Sequence, residues 1–129
     1  MSDESGAAPS RFGLGALEAQ VMDVLWDNGP STIREVIDHL ASHPAYTTIA
    51  TVLTNLDRKR LLTITRQNRS TRYATRTSRE QHAAEQIEQV LRASRDRRAS
   101  ILEFINSMPQ DDLDLLRSYL DDHDRGKEP

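Results

Sequence analysis

The chain has 129 residues, a formal net charge of −3, 36% hydrophobic residues and no cysteine. This length suits one domain, or a small domain plus an appendage, and the lack of cysteine excludes disulfides and thiolate metal sites. No apolar run approaches the roughly 20 residues that span a bilayer. Residues 1–13, which we expect to be a disordered leader, lack the features of a secretory signal. We therefore expect a cytoplasmic protein without a membrane segment.

Charge is unevenly distributed along the chain. Residues 1–44 hold two basic and seven acidic side chains, and residues 80–129 hold seven basic and twelve acidic ones. Between them, residues 45–79 hold eight basic side chains and one acidic side chain. The local balances are therefore −5, −5 and +7 for these three segments. A basic middle segment between acidic ends is typical of a surface that binds a polyanion.

The first two predicted helices supply the apolar core. Apolar residues at helical spacing predict a helix from Leu14 to Asp27, with Trp26 packed into the core. The sequence Asn-Gly-Pro at 28–30 ends that helix. A second helix is predicted over residues 32–42, where Thr32 and Glu35 have the spacing of a capping box. A short turn then leads into a third helix, which is the helix-turn-helix arrangement.

The third predicted helix, over residues 45–60, has two different faces. Ile49, Val52, Leu53 and Leu56 follow the i, i+3, i+4, i+7 spacing of a buried face. The opposite face carries short hydroxyl and amide side chains instead of the Glu and Lys of an ordinary solvated helix. Short polar side chains can reach base edges in a DNA major groove. The alternative is a weakly helical segment whose threonines have no function. We predict DNA contacts for Tyr46, Thr47, Thr48, Ala50, Thr51, Thr54, Asn55, Arg58 and Lys59.

After the third helix the periodicity changes from helical to alternating. Residues 62–65 predict a half-buried strand, residues 66–70 a polar turn, and residues 71–75 a return strand with Tyr73 inward. A hairpin directly after a helix-turn-helix predicts a mainly α, winged-helix fold over residues 14–76, with a two-stranded wing. We predict phosphate or minor-groove contacts for Arg66, Arg69 and Arg72. An ordinary solvated hairpin is the alternative.

Together these segments resemble the penicillinase repressor (BlaI/MecI) family of bacterial transcription factors. The resemblance covers about residues 14–75 well and the remainder by architecture. Its motifs are weak singly and fairly specific as a set. They are Leu17-Glu18, Val21-Met22, Leu25-Trp26, Thr32-Ile33-Arg34-Glu35-Val36, Ala45-Tyr46-Thr47-Thr48-Ile49, Thr51-Val52-Leu53, Leu56, Lys59, Leu62 and Arg72-Tyr73.

The resemblance implies a homodimeric repressor that binds a palindromic promoter operator, in a β-lactam or cell-envelope stress response. Three residues depart from the family pattern, so the operator preference is in doubt. Asn55 stands where many relatives carry Arg, Arg60 stands where they usually carry Gly, and Ala50 replaces a longer side chain. Glycine would suit a helix C-terminus, whereas Arg60 either extends the helix or adds a phosphate contact.

Residues 77–124 predict a helical dimerisation region, followed by a flexible tail over residues 125–129. Isolated helices of fewer than about 15 residues are marginal in water, so their apolar faces need a partner. Self-association about a two-fold axis matches the symmetry of a palindrome. The alternative is that these helices fold back on the winged helix. The predicted dimerisation residues are Ile87, Val90, Leu91, Ile101, Leu102, Phe104, Ile105, Leu113, Leu116 and Leu120.

The resemblance also implies a sensor protease as a possible partner, because some relatives are inactivated by cleavage of an Asn-Phe bond. The corresponding bond here is Glu103-Phe104, and no Asn-Phe dipeptide occurs in the chain. We therefore expect induction by a different cleavage or by another signal. Other relatives sense copper through cysteines, which this chain lacks.

No pattern indicates an enzyme, a cofactor or a metal site. The four histidines, His39, His43, His82 and His123, lack metal-ligand spacing and are expected to be exposed helix residues or caps. Two functions remain open. One is a homodimeric repressor that binds double-stranded DNA without a cofactor, and the other is a winged-helix module that binds an acidic protein partner.

Overall fold

A computed structural model describes residues 13–127, so all but the last residue of the predicted leader lies outside the described part. In that part, six helices and one antiparallel hairpin follow each other along the chain. Their bounds are α1 Ala16–Asn28, α2 Ile33–His39, α3 Tyr46–Arg58, β1 Leu62–Gln67, β2 Ser70–Thr75, α4 Arg79–Ala93, α5 Arg97–Ser107 and α6 Gln110–Lys127.

The predicted capping box starts α2. The Thr32 hydroxyl accepts the Glu35 N–H at 3.2 Å, and the Glu35 carboxylate accepts the Thr32 N–H at 2.9 Å. The predicted end at residue 42 is wrong, because α2 stops at His39. Leu40 already has extended backbone with ψ of 127°, and His43 has a φ of +48°. The chain therefore turns into α3 earlier than the apolar pattern suggested.

The hydrophobic core of the winged helix lies where α1, α2 and α3 pack together. The predicted buried face of α3 is confirmed, because Ile49, Val52, Leu53 and Leu56 are all buried. The buried residues of the other elements are Leu14, Ala19, Val21, Met22, Val24, Leu25, Val36, Ile37, Leu40 and Leu62. With its apolar face fixed in this way, α3 turns its polar face outward.

The C-terminus of α3 has the hydrogen bonds of a Schellman motif. The Arg60 N–H donates to the Asp57 carbonyl at 2.8 Å, and the Leu61 N–H donates to the Leu56 carbonyl at 3.1 Å. Arg60 itself has a φ of +63°, the left-handed conformation that favours glycine. The expectation that Arg60 extends the helix is therefore wrong, since α3 ends at Arg58.

The wing is a hairpin of two six-residue strands, from Leu62↔Thr75 at its base to Gln67↔Ser70 at its tip. The five-residue turn we predicted is too long, because Asn68 and Arg69 alone form the connection. Both have positive φ, +49° and +69°, as the two-residue turns of tight hairpins require.

The alternating pattern of β1 also misled the prediction of burial. Leu62 is buried, but Ile64 is 45% exposed because the hairpin extends beyond the core. Tyr73 packs partly buried against the core, as predicted.

The start of α4 packs against α1 through Trp26. The indole N–H of Trp26 donates to the Thr77 carbonyl at 2.9 Å, and its ring lies 5.8 Å from the ring of His82. His82 is only 1% exposed, so the expectation of an exposed or capping histidine is wrong at this position. The Arg79 guanidinium stacks 5.1 Å from the Trp26 ring and pairs with Asp27 at 3.0 Å.

The chain divides into two compact units after Gln86, within α4. In the second unit, Arg97 pairs with Glu88 at 2.8 Å and joins α5 to the last turns of α4. None of residues 87–126 is buried. The last helix continues to Lys127, so residues 125–127 of the predicted tail are helical and residues 128–129 lie outside the described part.

Candidate nucleic-acid interface

The exposed face of α3 carries a continuous polar stripe. Thr47, Thr51, Thr54 and Arg58 follow the i, i+4, i+7, i+11 spacing of one helical face, and all four are exposed. Thr54 donates its hydroxyl to the Ala50 carbonyl at 3.0 Å, which leaves its methyl group and oxygen lone pairs facing outward. The structure thus brings the predicted threonines together on one face, which can offer donors, acceptors and methyl groups to a partner.

The remaining predicted residues of α3 lie at the borders of this stripe. Tyr46 and Thr48 are exposed, whereas Ala50 and Asn55 are half-buried. The Asn55 side-chain oxygen accepts a hydrogen bond from the Arg58 guanidinium at 3.1 Å. Arg58 keeps most of its five donors for an external acceptor after making this bond.

Lys59 is held by α1 instead of projecting freely. Its ammonium donates to the Glu18 carboxylate at 2.8 Å and to the Gly13 carbonyl at 3.4 Å. Burial opposes ionisation of Glu18, but the hydrogen bonds from Lys59 and the Gly15 N–H outweigh it and lower the pKa of this carboxyl. Lys59 therefore has a structural partner at neutral pH.

The three predicted arginines of the wing do not share one face. Successive residues of a strand point to opposite faces of the hairpin, and residues paired across the two strands point to the same face. The register pairs Arg66 with Thr71 and Thr65 with Arg72. Arg66 therefore projects on the same side as Tyr73, and Arg72 on the other. Arg69 lies in the turn at the tip. The wing thus presents its cations in three directions.

Arg72 contacts α2 and the loop before it. Its guanidinium donates to the Glu35 carboxylate at 3.0 Å and to the Pro30 carbonyl at 3.5 Å. The Thr32 N–H, and after it the Arg72 charge, hold the pKa of the Glu35 carboxyl below its ordinary value. Arg72 is therefore in place to position the wing against α2.

A backbone bridge joins the wing to the loop between α1 and α2. The Ser31 N–H donates to the Tyr73 carbonyl at 3.0 Å, and the Tyr73 N–H donates to the Ser31 carbonyl at 2.8 Å. Ser31 is buried and its hydroxyl donates to the Gly29 carbonyl at 2.8 Å. The wing and the helix-turn-helix are thereby held at a fixed distance from each other.

The prediction from sequence missed Arg34, an exposed residue of α2. Its guanidinium stacks 5.8 Å from the ring of Tyr46, the first residue of α3. Arg34 lies outside the basic middle segment, so the charge distribution did not point to it. The signal available was its place in the Thr32–Val36 motif, which carries the family resemblance and the cap of α2.

The described part of the chain contains no group of three or more His, Cys, Asp or Glu side chains able to hold a metal ion. No helix between residues 13 and 127 is long and apolar enough to cross a membrane.

Comparison with known proteins identifies relatives along most of the chain. The family described as penicillinase repressor matches residues 14–122. Two relatives, each named transcriptional regulator BlaI, come from the CDC 1551 / Oshkosh and ATCC 25618 / H37Rv strains of Mycobacterium tuberculosis. Each is 35% identical over 119 residues, which cover 88% of this chain and 86% of the relative.

Solved structures offer more remote similarities. A MarR family protein from Bacillus stearothermophilus has a TM-score of 0.48 and 16% identity, over 89% of this chain and 76% of that chain. MepR, a transcription regulator of the Staphylococcus aureus multidrug efflux pump MepA, has a TM-score of 0.49 and 12% identity, over 91% of this chain and 82% of that chain.

Proposed function

The chain belongs to the penicillinase repressor family, and from that premise we propose that it represses transcription as a homodimer bound to a palindromic operator. It is a transcriptional regulator with a winged-helix DNA-binding fold and not an enzyme. From the family's description we extend the proposal to genes of a β-lactam or cell-envelope stress response in the bacterial cytoplasm.

The observation that carries this proposal is the polar stripe of α3. A helix whose opposite face is fully buried has no freedom to rotate, so Thr47, Thr51 and Thr54 stay outward. Threonine hydroxyls hydrogen-bond base edges and threonine methyls contact thymine, and neither is long enough to keep the helix out of the groove. Arg58, at the end of the same stripe, supplies a cation for the backbone.

Arg69 at the tip of the wing supports the same proposal. Its left-handed backbone conformation is one that arginine rarely adopts and that glycine adopts without steric cost. An arginine at this position is disfavoured for stability, which is expected where the side chain serves binding. We assign phosphate or minor-groove contacts to Arg69 and Arg66, and a positioning role to Arg72 because it is paired with Glu35.

The exposed apolar side chains of the second unit support self-association. Val90 and Leu115 are each 70% exposed, and Phe104 is 48% exposed. The 11-residue α5 is marginal alone, and a second copy of the chain gives the exposed apolar side chains of α4, α5 and α6 a place to pack. We therefore retain the predicted set of dimerisation residues.

The first experiment selects bound sequences from random duplex DNA and measures affinity for the selected duplex against salt. Repression from a palindrome predicts two half-sites related by two-fold symmetry. Arg69→Ala should weaken binding to every sequence and reduce the salt slope by about two per dimer, while Thr48→Ala should relax preference at particular base pairs. A protein that prefers no duplex over competitor DNA at low salt, and instead binds an acidic protein, would overturn the proposal.

Dimerisation is tested by two matched substitutions on α4. Val90→Asp and Gln89→Asp each place a carboxylate at an exposed position of α4. Only Val90 shares the apolar face of α4 with Ile87 and Leu91. Sedimentation equilibrium should find Val90→Asp monomeric at concentrations where Gln89→Asp and the unmodified protein are dimeric. A dimeric Val90→Asp protein would show that this face is not the interface.

A further inference from the structure

An open cleft of about 360 Å³ separates the start of α2 from the tip of the wing. Its walls come from the cap and first residues of α2, from the first residue of α3, and from the turn and second strand of the hairpin. Among residues 13–127, Ile33 is the one aliphatic residue that lines it. The polar residues that line it are Thr32, Arg34, Tyr46, Arg69, Ser70, Thr71 and Tyr73.

We infer that this cleft seats a backbone phosphate of the bound DNA, with Arg34 and Arg69 as its cationic walls. The inference rests on the proposed function and adds to it a contact that the sequence did not predict. Tyr46 and Arg69, which both line the cleft, belong to the two elements assigned to DNA contact. A duplex that touches both α3 and the wing must pass over the space between them.

The side chains of the cleft suit a phosphodiester. Arg34 and Arg69 provide planar guanidinium groups, which bind phosphate oxygens with two hydrogen bonds each. The stacking of Arg34 on the Tyr46 ring at 5.8 Å restricts its orientation before DNA arrives. Ser70 and Tyr73 add hydroxyl groups to the lining.

Electrostatics near the cleft also favour an anion. Glu35 follows Arg34 on α2, and its carboxylate would repel a phosphate if it were unpaired. Arg72 neutralises that carboxylate at 3.0 Å, and the Thr32 N–H also donates to it. The charges of Arg34 and Arg69 therefore remain available to a ligand. A drug-sized molecule is a poorer fit, because such ligands favour enclosed, mainly apolar pockets.

Methylphosphonate scanning of the selected operator tests the inference. Single phosphates are replaced in turn by neutral methylphosphonates, and affinity is measured for the full-length protein and for Arg34→Ala. A charge-assisted contact contributes about tenfold or more, so one phosphate per half-site should show that loss with the unmodified protein. Arg34→Ala should bind native DNA more weakly than the unmodified protein. It should also lose less affinity when that phosphate is neutralised, because only the Arg69 contact is left to lose.

Arg98→Ala is the matched control. Arg98 is also an exposed arginine near the start of its helix, and within the described residues it makes no ion pair. Its phosphate map should equal that of the unmodified protein. A thermal melt confirms that Arg34→Ala is folded, which is expected because the side chain is exposed.

The possible outcomes distinguish failure of the cleft assignment from failure of the proposed function. If the unmodified protein binds its operator but Arg34→Ala keeps the same phosphate map, the cleft assignment is overturned and the repressor function stands. A second outcome also overturns the assignment. If Arg34→Ala keeps the same phosphate map, and inorganic phosphate perturbs the NMR signals of Tyr46 and Ser70 in the unmodified protein but not in Arg34→Ala, the cleft binds a free anion. If no duplex is preferred over competitor, the proposed function itself fails.

Discussion

Replacing Arg60 by glycine should stabilise the protein, although it removes a side chain without adding a contact. The residue occupies the left-handed position of the Schellman motif that ends α3, with a φ of +63°. A side chain in this conformation costs roughly 1–2 kcal/mol, which glycine avoids. Glycine also makes the unfolded chain more flexible, at a cost of about 0.4–1 kcal/mol. The expected net gain in the free energy of unfolding is about 0.5–1 kcal/mol.

Urea denaturation at a fixed protein concentration measures this gain, because the stability of a self-associating protein depends on concentration. Arg60→Ala is the control, since it removes the same charge but keeps the β-carbon that causes the strain. The hydrogen bond from the Arg76 guanidinium goes to the carbonyl of residue 60 at 3.5 Å and survives both changes. If the glycine variant is no more stable than the alanine variant, the strain at this position does not exist.

Three further predictions concern the wing and the start of α4. Arg69→Gly should raise the free energy of unfolding by about 0.5 kcal/mol and weaken DNA binding. Arg69→Ala should weaken DNA binding without raising the free energy of unfolding. Equal stabilities of the two variants would contradict this prediction. Glu35 has a lowered pKa, so its contribution to stability is present above its ordinary pKa of 4.5 and is lost as pH falls through the folded value. Glu35→Gln should flatten the pH dependence of urea denaturation in this range, and an unchanged curve would exclude the Arg72 pair as a source of stability. Trp26→Phe keeps an aromatic ring but removes the pyrrole part of the indole, and with it the donor to the Thr77 carbonyl. It should lower the free energy of unfolding by about 1–3 kcal/mol in urea denaturation. A neutral effect would mean that neither the lost packing nor the lost hydrogen bond contributes to stability.

The sequence predicted those features of the fold that depend on periodicity. The buried face of α3 follows from the spacing of Ile49, Val52, Leu53 and Leu56, because a helix with one apolar stripe has one way to pack. The hairpin followed from the change of period after residue 61, and the capping box of α2 followed from a local pattern. Each of these rests on residues close together in the chain.

Features that depend on distant contacts were missed. His82 lies in a polar helix, and its burial depends on Trp26, which is far away in the chain. The end of α3 was misjudged because arginine instead of glycine occupies the left-handed position at residue 60. Arg34 escaped notice because its place beside Tyr46 is set by the turn between α2 and α3. In each case the residue type can be read from the sequence, but the conformation or contact that defines its role depends on the folded structure.

The bridge between Ser31 and Tyr73 has a consequence for redesign of this protein. Both of its hydrogen bonds join main-chain atoms, so the anchoring of the hairpin does not depend on which side chains its tip carries. The tip can therefore be exchanged for that of a relative if residues 68 and 69 keep their positive φ. The main-chain hydrogen bonds between the hairpin and the loop before α2 are then preserved. Such chimeras would allow the contribution of the hairpin to operator choice to be transplanted independently of the helix that precedes it.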